Sequence, residues 1–187
     1  MTRYRYYTAT TLDGYLADEH DSLDWLFVQE QDDGSGETGA PGTYEQFIGT
    51  IGAAVMGATT YEWVARHLRE KGEAWPYAMP CFVFTHRELE PLDDGVRFVA
   101  GPPAEHRAAI EEAAGDLDVW MVGGGALAAD FAEAGMLDDV LLSIAPVTLG
   151  AGRPLFPRRY ELRLTELGRN GAFVVATYDV VGPPTRW

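Results

Sequence analysis

The sequence predicts an α/β protein built on a mainly parallel sheet of about eight strands, with an antiparallel C-terminal edge and helices on both faces. Short unbroken apolar runs alternate with helical patterns up to about residue 135, which is typical of strands buried on both faces. A β-rich tail follows, and its Asn170-Gly171 dipeptide favours an antiparallel hairpin. We expect the whole chain, residues 1–187, to form one domain.

The composition indicates a globular chain and disfavours several classes of partner. Apolar residues make up 47% and the formal net charge is -15. Because nucleic acids and anionic membranes bind basic patches, we expect neither as a partner. No secretory signal and no apolar run of about 18 residues occurs, so we predict a cytoplasmic protein. The histidines lack ligand spacing and only one cysteine is present, so neither a metal site nor a disulfide is expected.

The N-terminal half of the chain predicts two helices between its strands. Tyr44, Phe47, Ile48 and Ile51 follow the spacing i, i+3, i+4, i+7, which predicts a short helix that packs this face on the core. A second helix is expected after residues 57–60. Strands are predicted at 4–9, 53–56 and 80–84, with a turn at 13–14 and a polar surface loop at 29–42.

The C-terminal half predicts two more helices and the remaining strands. Pro102-Pro103 opens an alanine-rich helix over 104–114, and Gly115 ends it. A glycine turn at 123–125 leads into a further helix, which Gly135 ends. Strands are predicted at 96–99, 117–122, 140–148, 160–167 and 173–181.

Three of the predicted strands end in turns that suit a ligand, at residues 57–60, 85–87 and 123–125. The carboxyl ends of parallel strands share one edge, where nucleotides bind. A glycine turn that leads into a helix aims free N–H groups at a phosphate. His86 and Arg87 could bind a ribose 2′-phosphate and so select NADPH over NADH. The alternative for these two side chains is a solvated turn.

Taken together, four motifs resemble the dihydrofolate reductase-like superfamily. The resemblance is greatest to the branch of the riboflavin-biosynthesis (RibD) C-terminal reductase domain and its stand-alone bacterial relatives, and it covers Tyr4 to about Val181. It implies NADPH-dependent hydride transfer to a small heterocyclic or ribosylaminopyrimidine-type substrate, and a homodimer. The motifs are Thr11-Leu12-Asp13-Gly14-Tyr15-Leu16-Ala17, Met56-Gly57-x-x-Thr60-Tyr61, Val122-Gly123-Gly124-Gly125 and Pro146-x-x-Leu149-Gly150-x-Gly152-Arg153-Pro154-Leu155-Phe156.

The resemblance also implies which residues hold the cofactor. Backbone atoms of Ala9, Leu16 and Ala17 would surround the nicotinamide carboxamide. A cis peptide between Gly123 and Gly124 is implied as well. The expected contacts to the pyrophosphate and the adenosine 2′-phosphate are Gly57, Thr59, Thr60, Thr85, His86, Arg87, Val122, Gly123, Gly124, Gly125, Ala126 and Leu127.

For the substrate, the resemblance implies a pocket closed by a mobile loop. Leu23 and Trp25 resemble that loop, and Trp25 would wall the pocket and exclude water. Tyr44 and Phe47 are expected to complete its lining. A phosphate on the substrate would need a cation, for which Arg153 is the candidate, with a structural role in its loop as the alternative.

The proton donor has more than one candidate. Asp24 would serve if its carboxyl were partly buried against Trp25, and the alternative is a helix N-cap or surface residue. Asp13 is a second candidate, with a structural role in its turn as the alternative. Glu45, the nearest carboxylate on the first helix, lies about 100° from the apolar stripe, which disfavours dihydrofolate as the substrate.

Three other functions stay open from the sequence alone. They are dihydrofolate reductase activity, a non-enzymatic NADP(H)-binding sensor, and an interaction protein whose three turns bind nothing. Ala58 favours the last two, because many relatives carry an arginine at this position that could neutralise the pyrophosphate.

Overall fold

The fold, taken from a computed structural model, is described for residues 1–30 and 44–185. Along the chain the strands and helices are β1 Tyr4–Thr11, β2 Tyr15–Ala17, α1 Asp24–Phe27, α2 Tyr44–Ile48, β3 Ile51–Gly57, α3 Ala58–Lys71, β4 Cys81–Phe84, β5 Val96–Val99, α4 Pro103–Ala114, β6 Asp118–Gly123, α5 Gly125–Glu133, β7 Asp139–Ala145, β8 Arg153–Pro154, β9 Glu161–Asn170 and β10 Phe173–Gly182.

Eight of the strands form one sheet in the order β5-β4-β3-β6-β1-β7-β10-β9. Every pair from β5 to β7 is parallel, whereas β10 is antiparallel to both β7 and β9. This confirms the predicted mainly parallel sheet with an antiparallel C-terminal edge. The parallel strands end at one edge, and the three predicted ligand turns lie there.

Helices cover both faces of the sheet, as predicted. On one face α4 and α5 bury a core that includes Tyr4, Tyr6, Met121 and Phe131, all at most 2% exposed. On the other face α2 and α3 pack over two smaller apolar clusters, one of which contains Trp120. Along β6 the two faces alternate: Val119 and Met121 belong to the first core, whereas Trp120 between them belongs to a cluster on the other face, because successive side chains of a strand point to opposite faces.

The structure corrects the predicted first helix, because Ile51 does not belong to it. Helix α2 ends at Ile48, the Thr50 hydroxyl donates to the carbonyl of Phe47 at 2.7 Å, and Ile51 begins β3. Ile51 is nevertheless buried in the same cluster as Phe47. Ile51 is therefore apolar because it is buried, and not because it continues the apolar face of the helix.

Three short elements were absent from the sequence prediction, namely α1 and the paired strands β2 and β8. Most of the predicted surface loop at 29–42 lies outside the described residues. No helix in the described part of the chain is long and apolar enough to cross a membrane.

Candidate active site

Two adjoining cavities occupy the carboxyl edge of the sheet. The larger, about 620 Å³, lies between the first turns of α3, α4 and α5, and the smaller, about 420 Å³, lies beside α1 and the end of β1. Thr59, Thr60, Gly124 and Ala126 line both cavities, so the two form one cleft around the glycine turn. This shape suits an extended ligand with a different group at each end.

The first turns of α3 and α5 present unsatisfied backbone donors to the larger cavity. Their N-cap residues, Gly57 and Gly124, make no side-chain cap, and neither helix carries an acidic residue in its first turn. The free N–H groups and the positive helix ends therefore attract an anion. Helix α4 differs, because Pro103 begins it and Glu105 lies in its first turn.

Glycine is present at each of these positions for a different physical reason. A Cβ on Gly125 would collide with the carbonyl oxygens of Pro154 and Leu155, and one on Gly123 would lie 3.1 Å from the Thr60 hydroxyl. Gly124 has a φ of 98°, which favours glycine. A Cβ on Gly57, in contrast, would meet nothing within 4 Å. Glycine at position 57 therefore leaves room for a ligand to approach the backbone closely.

The expected cis peptide between Gly123 and Gly124 is wrong. The described residues contain no cis peptide bond. Gly124 turns the chain instead through its left-handed backbone conformation, with φ 98° and ψ 93° at the N-cap of α5. Thr60 and the predicted residues 122–127 still lie together around the cleft, as Thr60, Val122, Gly123, Gly124, Gly125, Ala126 and Leu127 each line at least one of its cavities.

Of the three residues predicted to bind a 2′-phosphate, Thr85 and His86 line the larger cavity near the end of β4, whereas Arg87 lines neither cavity. The backbone N–H of Arg87 donates to the Thr85 hydroxyl at 2.9 Å. The Arg87 Nη1 donates to Oε2 of Glu62 at 2.6 Å, in an ion pair whose side chains are 53% and 43% exposed. Only one guanidinium nitrogen takes part in this pair.

At the other end, Ala9, Leu16 and Ala17 line the smaller cavity as predicted for the nicotinamide, and Leu23 joins them. Arg153 also lies there, on β8. Its Nε and Nη2 donate to the two carboxylate oxygens of Asp21 at 2.6 Å and 3.0 Å. This bidentate pair raises the pKa of the Arg153 guanidinium above its ordinary value. Sequence reasoning missed Asp21 entirely.

Three residues expected to wall this pocket lie elsewhere. Trp25 is 8% exposed and packs against Ala145 and Phe173. Phe47 stacks on Tyr7 at 4.4 Å, and Tyr44 is 43% exposed beside Trp120. None of the three residues lines either cavity of the cleft. The aromatic character of Trp25 and Phe47 reflects core packing, because sheet faces need large apolar side chains, whereas Tyr44 contacts the edge of this core from the surface.

Leu26 and Trp63 provide the large apolar walls instead. Trp63 stacks on Phe27 of α1 at 6.1 Å, which joins α3 to α1 above the cavity. A signal for Trp63 was present in the sequence, because Thr59 and Trp63 are four residues apart on one helix and therefore share a face.

The two predicted proton donors, Asp24 and Asp13, lie in different surroundings. Asp24 is the first residue of α1 and is exposed, so the expected burial against Trp25 is wrong. Asp13 accepts hydrogen bonds from the Thr11 hydroxyl at 2.6 Å and from the backbone N–H groups of Leu149 and Gly150. These bonds, that from Thr11 above all, hold the pKa of the Asp13 carboxyl below its ordinary value. Asp13 thus ties the turn after β1 to the loop after β7.

Comparison with known proteins gives consistent matches along the chain. The model of the RibD C-terminal domain matches residues 5–172. The chain is 32% identical over 151 residues to YwjB of Bacillus subtilis (strain 168), covering 80% of each chain. A crystal structure of a protein assigned to riboflavin biosynthesis from Shewanella sp. PV-4 matches with a TM-score of 0.77 at 25% identity, covering 96% of this chain and 99% of that one.

Dihydrofolate reductase from Enterococcus faecalis also matches the fold, with a TM-score of 0.56 at 14% identity over 96% of each chain. This match confirms the predicted dihydrofolate reductase-like fold. Together with the matches above, it confirms the predicted resemblance.

Proposed function

Because the chain belongs to the RibD C-terminal domain family, we propose that it is an NADPH-dependent reductase acting on a small, flat heterocyclic substrate. The observation that carries the proposal is the cleft in which the uncapped N-termini of α3 and α5 meet beside an apolar cavity. An anionic pyrophosphate and an uncharged nicotinamide ring match these two environments. The Enterococcus dihydrofolate reductase that shares the fold was solved with NADP(H).

The residues of the cleft suit NADPH in a defined direction. The open space over Gly57 and the free N–H groups after Gly124 would hold the pyrophosphate. Thr85, His86 and Arg87 would hold the 2′-phosphate, since they follow β4 at the far end. These local donors offset the unfavourable field of a chain with a formal net charge of -15.

When bound, NADPH would supply a hydride to the carbon of a flat C=N or C=O group, and the nitrogen or oxygen would take up a proton from solvent. The chain's own contribution is to position the two rings and to keep water from the apolar face of the nicotinamide. Ala9 and Ala17 line the cavity that we assign to the nicotinamide, while Leu26 and Trp63 form its apolar walls. An apolar, dry wall strengthens the electrostatic interactions at the site of transfer.

The first test is a fluorescence titration of the protein with NADPH and, separately, with NADH, followed by energy transfer from tryptophan to the reduced nicotinamide. We expect NADPH to bind at least about tenfold more tightly than NADH, because only NADPH carries the 2′-phosphate. The absence of binding of either cofactor at millimolar concentration would refute the proposal. Binding of NADPH without oxidation by any flat heterocycle would favour the alternative of an NADP(H) sensor.

We also propose that the chain acts as a homodimer through one face of β9 and β10. Leu162, Leu164 and Leu167 pair with Val180, Tyr178 and Ala176, so all three leucines point to the same side of the sheet. A bulge at Thr165 brings Leu164 and Leu167 to that side although they are three residues apart. These leucines and Val174 are 42–63% exposed, which leaves a contiguous apolar face without a partner in the described structure.

Charge at this face also suits a second copy of the chain. Residues 158–182 contain four arginines and three carboxylates, while the whole chain carries a formal net charge of -15. Two copies that meet through this segment therefore bring together little net negative charge. In addition, β9 is a ten-residue strand at the edge of the sheet, and natural proteins usually protect such edges.

The dimer is tested by sedimentation of the protein and its Leu164→Glu variant. A charge placed in the centre of an apolar interface is expected to give a monomer. Leu117→Glu is the matched control, since Leu117 is 44% exposed and Leu164 is 49% exposed. A monomeric parent protein, or a dimer that survives the Leu164 change, would refute this interface.

A further inference from the structure

We infer that Asp21 makes the substrate end of the cleft select uncharged heterocycles and reject phosphorylated ones. This inference rests on the proposed reductase function and concerns the substrate class of the same site. Among the described residues that line the smaller cavity, Asp21 and Arg153 are the only charged side chains. Each neutralises the other, so the cavity presents no net charge to a substrate.

The geometry of the pair places a carboxylate beside any phosphate that binds Arg153. Both carboxylate oxygens of Asp21 accept from the guanidinium, one from Nε at 2.6 Å and one from Nη2 at 3.0 Å. The pair thus occupies the Nε/Nη2 side of the guanidinium fork and leaves the Nη1/Nη2 end, which can also bind a phosphate. A phosphate on the occupied side would have to displace Asp21, and one on the free end would lie next to the Asp21 carboxylate and be repelled by it.

Asp21 is also held in place by its own loop. The Asp18 carboxylate accepts hydrogen bonds from the backbone N–H groups of His20 and Ser22, both at 2.8 Å. The backbone N–H of Asp21 donates to the carbonyl of Asp18 at 3.2 Å. These bonds fix the turn that carries Asp21, and they reduce the freedom of its side chain to leave Arg153.

The backbone of Asp21 has a left-handed conformation, which helps to position its carboxylate for the ion pair with Arg153. Its φ is 61°, and among the described residues no other non-glycine residue has a positive φ. Such a conformation costs free energy for most side chains, although Asp and Asn tolerate it best. On the opposite side, pairing of Ala17 in β2 with Arg153 in β8 fixes the backbone of Arg153. Both partners are thus positioned before a substrate arrives.

The consequence is a specificity based on repulsion. A neutral ring meets the apolar surfaces of Leu23, Leu26 and Trp63 without disturbing the ion pair. A phosphorylated analogue of the same ring meets an arginine whose charge Asp21 already neutralises, and a carboxylate of like charge beside it. Discrimination against one partner by a repulsive group is a common source of specificity.

Riboflavin and flavin mononucleotide form a matched pair of probes, since they share a flat heterocycle and differ only in a phosphate. Flavin fluorescence titrations should show riboflavin binding at least about tenfold more tightly than the mononucleotide. In Asp21→Asn the difference should fall to within about threefold, because the mononucleotide gains affinity. Asparagine keeps the left-handed backbone and removes only the charge.

Asp179→Asn is the matched control, because Asp179 forms an ion pair with Arg163 and its side chain is 33% exposed, compared with 31% for Asp21. The control should leave the ratio of the two affinities unchanged. Three results would overturn the inference: equal affinity of the parent for both flavins, an unchanged ratio in Asp21→Asn, or binding of neither flavin. NADPH binding, measured separately on the same proteins, reports whether the reductase proposal itself fails.

Discussion

The two ends of the cleft each carry an arginine paired with a carboxylate, yet the two pairs differ in construction. Arg87 uses one nitrogen to contact Glu62, and both side chains are about half exposed. Arg153 uses two nitrogens to contact Asp21, which a braced turn holds in a left-handed conformation. Exposure of the arginines does not separate the two pairs, since Arg87 is 53% and Arg153 56% exposed. A single contact can rearrange around an incoming phosphate at little cost, whereas a preorganised bidentate pair resists it.

The comparison teaches that an arginine in a pocket does not by itself indicate an anion site. Whether an arginine binds an anion depends on how many of its N–H donors are already used. It also depends on how easily its carboxylate partner can move away. On this basis the β4 end is suited to the 2′-phosphate of NADPH, while the β8 end is suited to an uncharged ring. The following changes test that contrast.

The largest effect is expected where the two ends meet, in Gly125→Ala. The new Cβ would collide with the carbonyl oxygens of Pro154 and Leu155, so the turn and β8 must separate. We expect a loss of unfolding free energy of about 3 kcal/mol and loss of binding at both ends. Thermal denaturation and NADPH titration measure these effects. Gly57→Ala, whose Cβ would meet only open space, should fold normally and lose NADPH affinity alone.

Arg87→Ala should weaken NADPH binding by about tenfold to a hundredfold, because a charge-assisted hydrogen bond to the 2′-phosphate is lost. NADH binding should change by less than about threefold. Parallel titrations with the two cofactors measure the difference. An equal loss for both cofactors would place the 2′-phosphate elsewhere in the cleft.

A smaller effect is expected for Glu62→Gln, which releases Arg87 from its single contact. NADPH should bind about threefold more tightly, because the phosphate no longer competes with a carboxylate. The gain should shrink at high salt, since both interacting groups are exposed. No gain at low salt would show that Glu62 does not limit access to Arg87.

The smallest effect concerns Asp13, which braces the loop that leads to Arg153 and has no counterpart at the other end. Its native pKa is held below the ordinary value, so its stabilising effect is present at neutral pH. That effect is lost as pH falls through the lowered native pKa. Asp13→Asn should therefore lower the melting temperature at pH 7, and the difference from the parent should vanish in acid. A difference that stays constant as the pH is lowered until the parent unfolds would contradict this assignment.

Periodicity and turn chemistry predicted where the main strands lie along the chain and that the three ligand-like turns share one edge of the sheet. The apolar run at 119–122 and the glycines after it could be interpreted locally, because burial and turn geometry act over a few residues. Short elements such as β2 and β8 depend on pairing between residues about 140 positions apart, and no local pattern reports such pairing.

The substrate end was harder to predict for a related reason. In a sequence, an aromatic residue of the core, such as Trp25 or Phe47, looks the same as an aromatic residue that lines a pocket. Asp21 carries no motif at all, and its importance comes only from Arg153, which lies far along the chain. Ion pairs between distant residues are visible in three dimensions alone.

The position of β1 has a consequence for how the protein folds. The first strand of the chain lies in the middle of the sheet, between β6 and β7. Its neighbours are residues 118–123 and 139–145, so neither partner exists until most of the chain has left the ribosome. Until then the aromatic strand at 4–11 stays unpaired on both sides. Folding is therefore expected to be slow and late in synthesis, with this segment as the part most in need of a chaperone.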